Sequence, residues 1–330
     1  MEDASARRPG FLSRLKESFK GEARGRDEPV RTVRVALNAY GKLPIYKDFI
    51  SSGLTDPGAR EFRNWIDRGF SHLWSRDEAR REIEIARHLF LLKLPESGAF
   101  VAGCLWGSQD EGGLRRFPFT LFTVLPGGHR AADPLPATEH LQVFDRQADA
   151  IQRRFGPGGS LAEFYRLYRG AEIDLPVKPF ERIDREARAE LAGLSMAALA
   201  KALFGERAAA RWPALLSGLD GLGGNAGGPG SPPVRLPLSG ALSRPRELQF
   251  WLLRLSRSGS RRRAATGMLY DSGARPGRAL FFWRDLRPED FLALESGASG
   301  EEAPAAASAS EMPPGEPAGW ERPLASLLSA

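Results

Sequence analysis

Apolar residues in this chain fall into two patterns, short unbroken runs and longer stripes at helical spacing, and their order along the sequence sets the expected fold. TVRVALNAY (residues 32–40) is rich in β-branched and apolar side chains and ends at Gly41, so it reads as a strand entering a loop that Pro44 stiffens. After Pro57, the side chains Phe62, Trp65, Ile66, Phe70 and Trp74 fall at helical spacing, which predicts a long helix with one face in the core. HLFLLKLP (88–95), AFVAGCLW (99–106) and FPFTLFTVL (117–125) are short apolar runs separated by Gly-rich or charged turns. That is the pattern of buried strands lying antiparallel to one another.

Stripes dominate the next stretch. Leu141, Phe144, Ala148, Ile151 and Phe155 form one helical face over 137–155, and a second helix follows from Ser160, its cap, to Tyr168, with Glu163 placed to complete a capping box. Beyond the Pro-containing DLPVKPF, helical patterns cover Ile183–Leu191, Ser195–Phe204 and Ala208–Leu219. Residues 218–233 are too rich in Gly and Pro to hold regular structure and read as a surface loop. VRLPLS, a helix from Pro245 to Leu255, the strand candidates TGMLYD and RALFFWRD, and a short helix over Pro288–Leu294 complete the ordered part. The expected class is therefore α/β of the α+β type, a central and mostly antiparallel sheet flanked by helices, with a smaller helix-rich C-terminal part. The expected divisions are 1–31, 32–156, 157–295 and 296–330, the first and last without a packed core.

Composition adds little to that picture except at the ends. The 330 residues, about two domains' worth, carry ordinary globular fractions of hydrophobic (42%) and charged (27%) side chains. The net charge of +6 is uneven: residues 1–31 have eight basic and six acidic side chains, and the tail from Ser296 has one Arg against five Glu. The basic residues of the body are scattered among acids without interleaved aromatics, which argues against a nucleic-acid stripe. No apolar run is long enough for a signal peptide or a membrane span, and Cys104, the one cysteine, sits inside an apolar run as a small hydrophobe. The expected location is cytoplasmic, without integral membrane association. Phe11, Leu12, Leu15 and Phe19 share a helical face beside Arg14, Lys16 and Lys20, suited to peripheral contact with a membrane or partner, or else to a frayed, solvated helix. Trp320, Leu324, Leu327 and Leu328 make one apolar turn that either docks on a partner or folds back on its own domain.

Motifs for chemistry are mostly missing. Four histidines and one cysteine show no metal-ligand spacing, and no phosphate loop, dinucleotide fingerprint or nucleophile elbow occurs. Gly156, Gly158 and Gly159 lead into the helix at Ser160 but lack a preceding strand and a basic residue, and read as a turn. RLSRSGSRRR (254–263) sets five arginines beside three serines, either a solvated turn or a site for acidic surface, phosphate or RNA. Neither a metal nor a cofactor is expected.

Two clusters remain, both bordering strands of the expected sheet. In GKLPIYKDFI, Gly41 permits an unusual backbone, Pro44 stiffens the turn, and Lys42, Lys47 and Asp48 lie close enough for one exposed site beside Phe49. In GSQDEGGLRRFPF, Gly107, Gly112 and Gly113 make a sharp connection, and Arg115 and Arg116 precede Phe117 and Pro118. Where the loops meet, Lys42, Asp48 and Arg115 make a polar patch able to recognise a partner or an anion, or else Asp48 pairs with an arginine to pin the loops together.

These two segments resemble a known family. GKLPIYKDFI is similar to the G-K-L-P-x-x-x-D-F signature that opens TagF (ImpM) proteins of bacterial type VI secretion, and GSQDEGGLRRFPF resembles that family's D-x-x-G-R-x-F-P segment, with Arg115 in the arginine position relative to Phe117. The late FWLL and LFFW segments extend the resemblance over about residues 33–295. It implies a posttranslational regulator, typically a repressor of assembly, that acts through the forkhead-associated scaffold protein of the same system, and it implies no enzyme. Gly41, Lys42, Pro44, Asp48, Phe49, Arg115, Phe117 and Pro118 are the expected partner-binding residues, none of them catalytic. Two other classes stay open on the residues alone. One is an enzyme acting on a phosphorylated protein or nucleotide, with Asp48 as acid or base and Lys42 and Arg115 holding the anion; the other is a structural baseplate component.

Overall fold

Eight strands form one antiparallel sheet, and helices cover both of its faces. The computed structural model describes residues 30–76, 84–125, 134–156, 158–221, 233–257, 267–272, 277–294 and 320–328. In chain order the elements are β1 (Arg31–Ala36), β2 (Asn38–Gly41), β3 (Ile50–Ser52), α1 (Pro57–Arg76), β4 (His88–Lys93), β5 (Phe100–Trp106), β6 (Phe119–Leu125), α2 (Pro134–Phe155), α3 (Leu161–Tyr168) and β7 (Glu172–Val177). There follow α4 (Phe180–Ala192), α5 (Met196–Phe204), α6 (Ala208–Gly221), β8 (Val234–Leu238), α7 (Arg244–Arg257), β9 (Gly267–Asp271) and β10 (Gly277–Phe282). Short 3-10 helices occupy Pro288–Leu294 and Leu324–Leu328. The sheet order is β3-β2-β6-β5-β4-β9-β10-β8, and β1 and β7 pair as a separate ribbon.

The unbroken apolar runs follow from coverage on both faces. Along β4, Leu89 and Leu91 enter the core beneath the later helices, while Phe90 and Leu92 enter the second core beneath α1. A strand buried on both sides has no polar face to alternate with. Asp56 caps α1, its Oδ1 accepting from Gly58 N at 2.7 Å, and Phe62, Ile66 and Phe70 seat the helix on the sheet. Trp65 donates through Nε1 to Arg287 O at 2.7 Å, tying α1 to the Pro288–Leu294 turn.

The mixed α/β class and the antiparallel sheet are as expected, with several local differences. The sheet is not confined to the first 156 residues: β9 pairs with β4, so three strands from the helix-rich part extend it. The stretch 32–40 is two strands, because at Leu37, whose N–H donates to Ala171 O at 2.9 Å, the chain passes from the β7 ribbon into the large sheet. β7 is masked in the sequence by Pro176 within it and Pro179 after it, although Ile173 and Leu175 point inward in alternation with the exposed Glu172 and Asp174. Trp74 lies 48% exposed beyond the buried face of α1. At α3 the capping box is only half formed: Ser160 Oγ accepts from Glu163 N at 3.2 Å, but the Glu163 carboxylate takes Arg154 Nε at 2.9 Å instead. Cys104 is fully buried, as expected. The Phe11–Phe19 stripe, the Gly/Pro-rich 222–232 and residues 258–263 of the arginine cluster lie outside the described residues. No described helix is long and apolar enough to cross a membrane.

Candidate functional site

Register brings the two motif loops together. Gly41 on β2 lies opposite Phe119 on β6, and Phe119 lies opposite Trp106 on β5, so the loop after β2 and the loop joining β5 to β6 leave the sheet at the same end. The approach at this rung is close. Gly41 has φ +130, and a Cβ there would stand 2.1 Å from Pro118 O and 2.7 Å from Phe119 Cα. Any other residue both strains the backbone and collides with β6.

The loops are joined by a carboxylate that the sequence reading did not assign. Asp110 is buried, and its Oδ1 accepts from Leu114 N (3.0 Å) and Arg115 N (3.2 Å) while Oδ2 accepts from Arg115 Nε (2.7 Å). The Arg115 guanidinium crosses to the other loop and donates to Lys47 O, and Glu111 N donates to Tyr46 O at 3.1 Å. Burial pushes the Asp110 carboxyl up, but the hydrogen bonds from Arg115 and Leu114 outweigh it, and the group titrates below its ordinary value. The expected pinning by Asp48 is therefore corrected. Asp48 is exposed and its Oδ1 accepts only from Phe49 N at 2.8 Å, a local turn bond. The one trace of Asp110 in the sequence is its place as the aspartate of the D-x-x-G-R-type segment.

Lys42 also differs from expectation, for its side chain is buried, 3% exposed, rather than part of an open patch. Its Nζ lies 3.9 Å from Asp110 Oδ2 and 4.5 Å from the centroid of the Phe49 ring, and it has no hydrogen-bond partner among the described residues. Burial and the neighbouring Arg115 charge lower its pKa, against the opposing pull of Asp110 and Asp48. Phe49 in turn stacks on Tyr40 (5.6 Å, 9°) and meets the edge of Phe117 at 4.8 Å. Tyr40 Oη donates to Asp67 Oδ1 at 2.6 Å, which fastens the aromatic cluster to α1. Pro44, Phe117 and Pro118 also line a cavity of about 400 Å³ together with Trp106 and Arg116.

All eight expected residues thus lie in one neighbourhood, but in two layers. Gly41, Lys42, Phe117 and Pro118 are inside it and hold its shape, with Pro44 partly buried between the two layers. Asp48, Phe49 (39% exposed) and Arg115 (58%) face outward, with Lys47, Arg116 and, missed by the sequence reading, Leu114, which is 89% exposed. A leucine so exposed at the tip of a pinned loop carries no core-packing signal, which is why hydrophobic patterning passes it over. Inside the latch Asp110 pairs with Arg115 and faces Lys42, and the outer surface offers apolar contacts among charged groups, cationic at Lys47, Arg115 and Arg116 and anionic at Asp48. His88 and His140, both buried, hydrogen-bond to main-chain carbonyls (Ala86 O, 2.8 Å; Pro176 O, 2.7 Å), and no cluster of metal-ligand residues occurs among the described residues.

Fold and site together define an α/β protein that presents a preformed surface from two pinned loops. Residues 38–167, which contain both loops, match the family described as TagF N-terminal domain, Type VI secretion system-associated. Over those residues the chain thus carries a domain of the type VI secretion-associated TagF N-terminal kind. Among solved structures it is similar to PA0076 from Pseudomonas aeruginosa PAO1, at 15% identity and a TM-score of 0.45, covering 82% of this chain and 97% of that chain. No curated protein matches the chain.

Proposed function

We propose that this protein is a non-catalytic, cytoplasmic regulator of type VI secretion that limits assembly by binding the forkhead-associated scaffold protein of the system through its two-loop surface. The observation that carries the reading is the Asp110–Arg115–Lys47 latch: it fixes the two family motifs against each other while leaving Phe49, Leu114 and Arg116 outside. A surface prepared in this way pays little ordering cost on association. Phenylalanine and arginine, both exposed here, are enriched at protein interfaces, and arginine is among the residues favoured as hot spots. Occupying a scaffold that assembly requires represses by mass action.

The test is co-purification of the scaffold with tagged wild type, Leu114→Asp and Phe49→Ala from a host that assembles the system. Leu114→Asp is expected to melt within about 1–2 °C of wild type, as exposed substitutions do, Phe49→Ala to melt lower because it gives up the ring contacts with Tyr40 and Phe117 while keeping a native circular dichroism spectrum, and both to lose most of the scaffold. Full retention of the scaffold by both would place the interface elsewhere. Absence of the scaffold from the wild-type eluate would remove the partner assignment itself.

A further inference from the structure

The apolar turn near the end of the sequence folds back onto the body, and the way it does so describes a binding site. Trp320 O accepts from Ala197 N at 3.0 Å, Arg322 O accepts from Met196 N at 3.1 Å, and Leu324 N donates to Leu194 O at 2.8 Å. Met196 and Ala197 are the first two residues of α5, whose N–H groups have no partner within the helix. The third, Ala198 N, is served by the cap residue Ser195 through its Oγ at 3.1 Å. The returning segment therefore supplies main-chain carbonyls to a helix start, and Pro323 bridges to Ser195 like a single rung of sheet. Leu324 is fully buried, and Trp320, Ala325 and Leu327 pack partly buried against α4 and α7. Glu321, Arg322 and Pro323 remain exposed.

The walls of this groove are held without the segment. Arg246 on α7 pairs with Glu186 (2.8 Å) and Glu190 (3.2 Å) on α4 and with Glu139 on α2 (3.1 Å), and Lys178 pairs with Glu186 at 2.9 Å. These two cations and the three carboxylates of α2 and α4 fix the spacing of the groove from behind, and Ser195 caps the start of α5 with its own side chain.

We propose that the groove between α4, α5 and α7 is a peptide-binding site, occupied in cis by Trp320–Leu328 and able to take the same segment as a separate peptide. Its ligand is an extended apolar peptide with the spacing Trp-x-x-x-Leu-x-x-Leu, recognised by main-chain hydrogen bonds at the helix start and by one fully enclosed leucine, with the three residues after the tryptophan free to vary. The segment belongs to the same chain as the groove, so its binding there is intramolecular, and intramolecular binding of this kind has an effective concentration on the order of 1 mM. A free peptide of the same sequence therefore competes poorly with the intact chain and binds well once the cis copy is released.

The test uses the full chain with an engineered protease site in place of residues 300–306. After cutting, a fluorescein-labelled peptide of residues 318–330 is added and followed by anisotropy, with circular dichroism monitoring the body. The expected result is saturable binding with a Kd on the order of 100 µM, displacement by unlabelled peptide, and at least roughly tenfold weaker binding by the Leu324→Asp peptide, whose carboxylate meets an apolar pocket. Three results would overturn the proposal. One is loss of the body's helical signal when the cut segment leaves, which makes the segment part of the core. The others are a folded body that binds no peptide, and a cut segment that excess peptide cannot exchange.

Discussion

Replacing Gly41 with alanine tests the close approach on which the two-loop surface depends. The added Cβ would meet Pro118 O at 2.1 Å and Phe119 Cα at 2.7 Å, and both are backbone atoms that no rotamer change can move. To accept it, β2 and β6 have to part by roughly 1 Å at the rung where the loops begin, against a close-packed interior. The φ of +130 costs a non-glycine residue about 1–3 kcal/mol, and the forced separation adds about 1–3 kcal/mol of overpacking strain. A control isolates the second contribution. Gly98 has φ +66 with nothing within 4 Å of its would-be Cβ, so Gly98→Ala carries only the left-handed backbone cost, about 1–2 kcal/mol. Urea unfolding of the two variants and wild type, read by tryptophan fluorescence with unchanged m-values, should place Gly41→Ala about 1–3 kcal/mol below Gly98→Ala, the overpacking contribution. At about 2–4 °C per kcal/mol, the same gap should appear in thermal melts. Equal destabilisation of the two variants would refute the reasoning, because it would mean that β2 yields freely at this rung and that glycine is required there only for its backbone angle.

Three further outcomes follow from the same structure. The folded Asp110 carboxyl titrates below its unfolded value, so its contribution to stability is present above about pH 4 and is lost as pH falls through the folded value. Asp110→Asn should therefore be less stable than wild type at pH 7, with the gap in urea melts narrowing progressively as the pH is taken below about 4; a gap that does not narrow would contradict the latch. Cys104 is fully buried and its thiol is pushed up by that burial, so Ellman's reagent at pH 8 should leave it untouched in native protein and titrate one thiol in urea, whereas rapid native reaction would show the β5 core to be open. Phe291 is fully buried over Gly69 and 5.3 Å from Trp65. Phe291→Ala should cost about 3–5 kcal/mol in denaturant unfolding, and a loss under 1 kcal/mol would mean that the Pro288–Leu294 turn contributes little to the α1 core.

What could be read directly was whatever depends on a residue's near neighbours in sequence. The runs in β4, β5 and β6, the stripe of Phe62, Ile66 and Phe70, and the Ser160 cap are local patterns with local causes, and the structure has them in place. The two motif loops were legible for the same reason, since each is bounded by a recognisable strand and marked by glycine and proline. Tertiary structure alone decided which distant segments share a surface. β1 pairs with β7 across about 140 residues, and β9 joins β4 so that one sheet crosses the expected domain division. Leu324 closes a groove on α5, a choice its sequence left open between partner and self. The site turned on the same distinction. That Lys42 is enclosed, and that Asp110 rather than Asp48 holds Arg115, depends on how two strand ends are aligned by a third. Composition determines whether a side chain is suited to burial or charge pairing, but its actual neighbours are brought by the pairing of strands far apart in the chain.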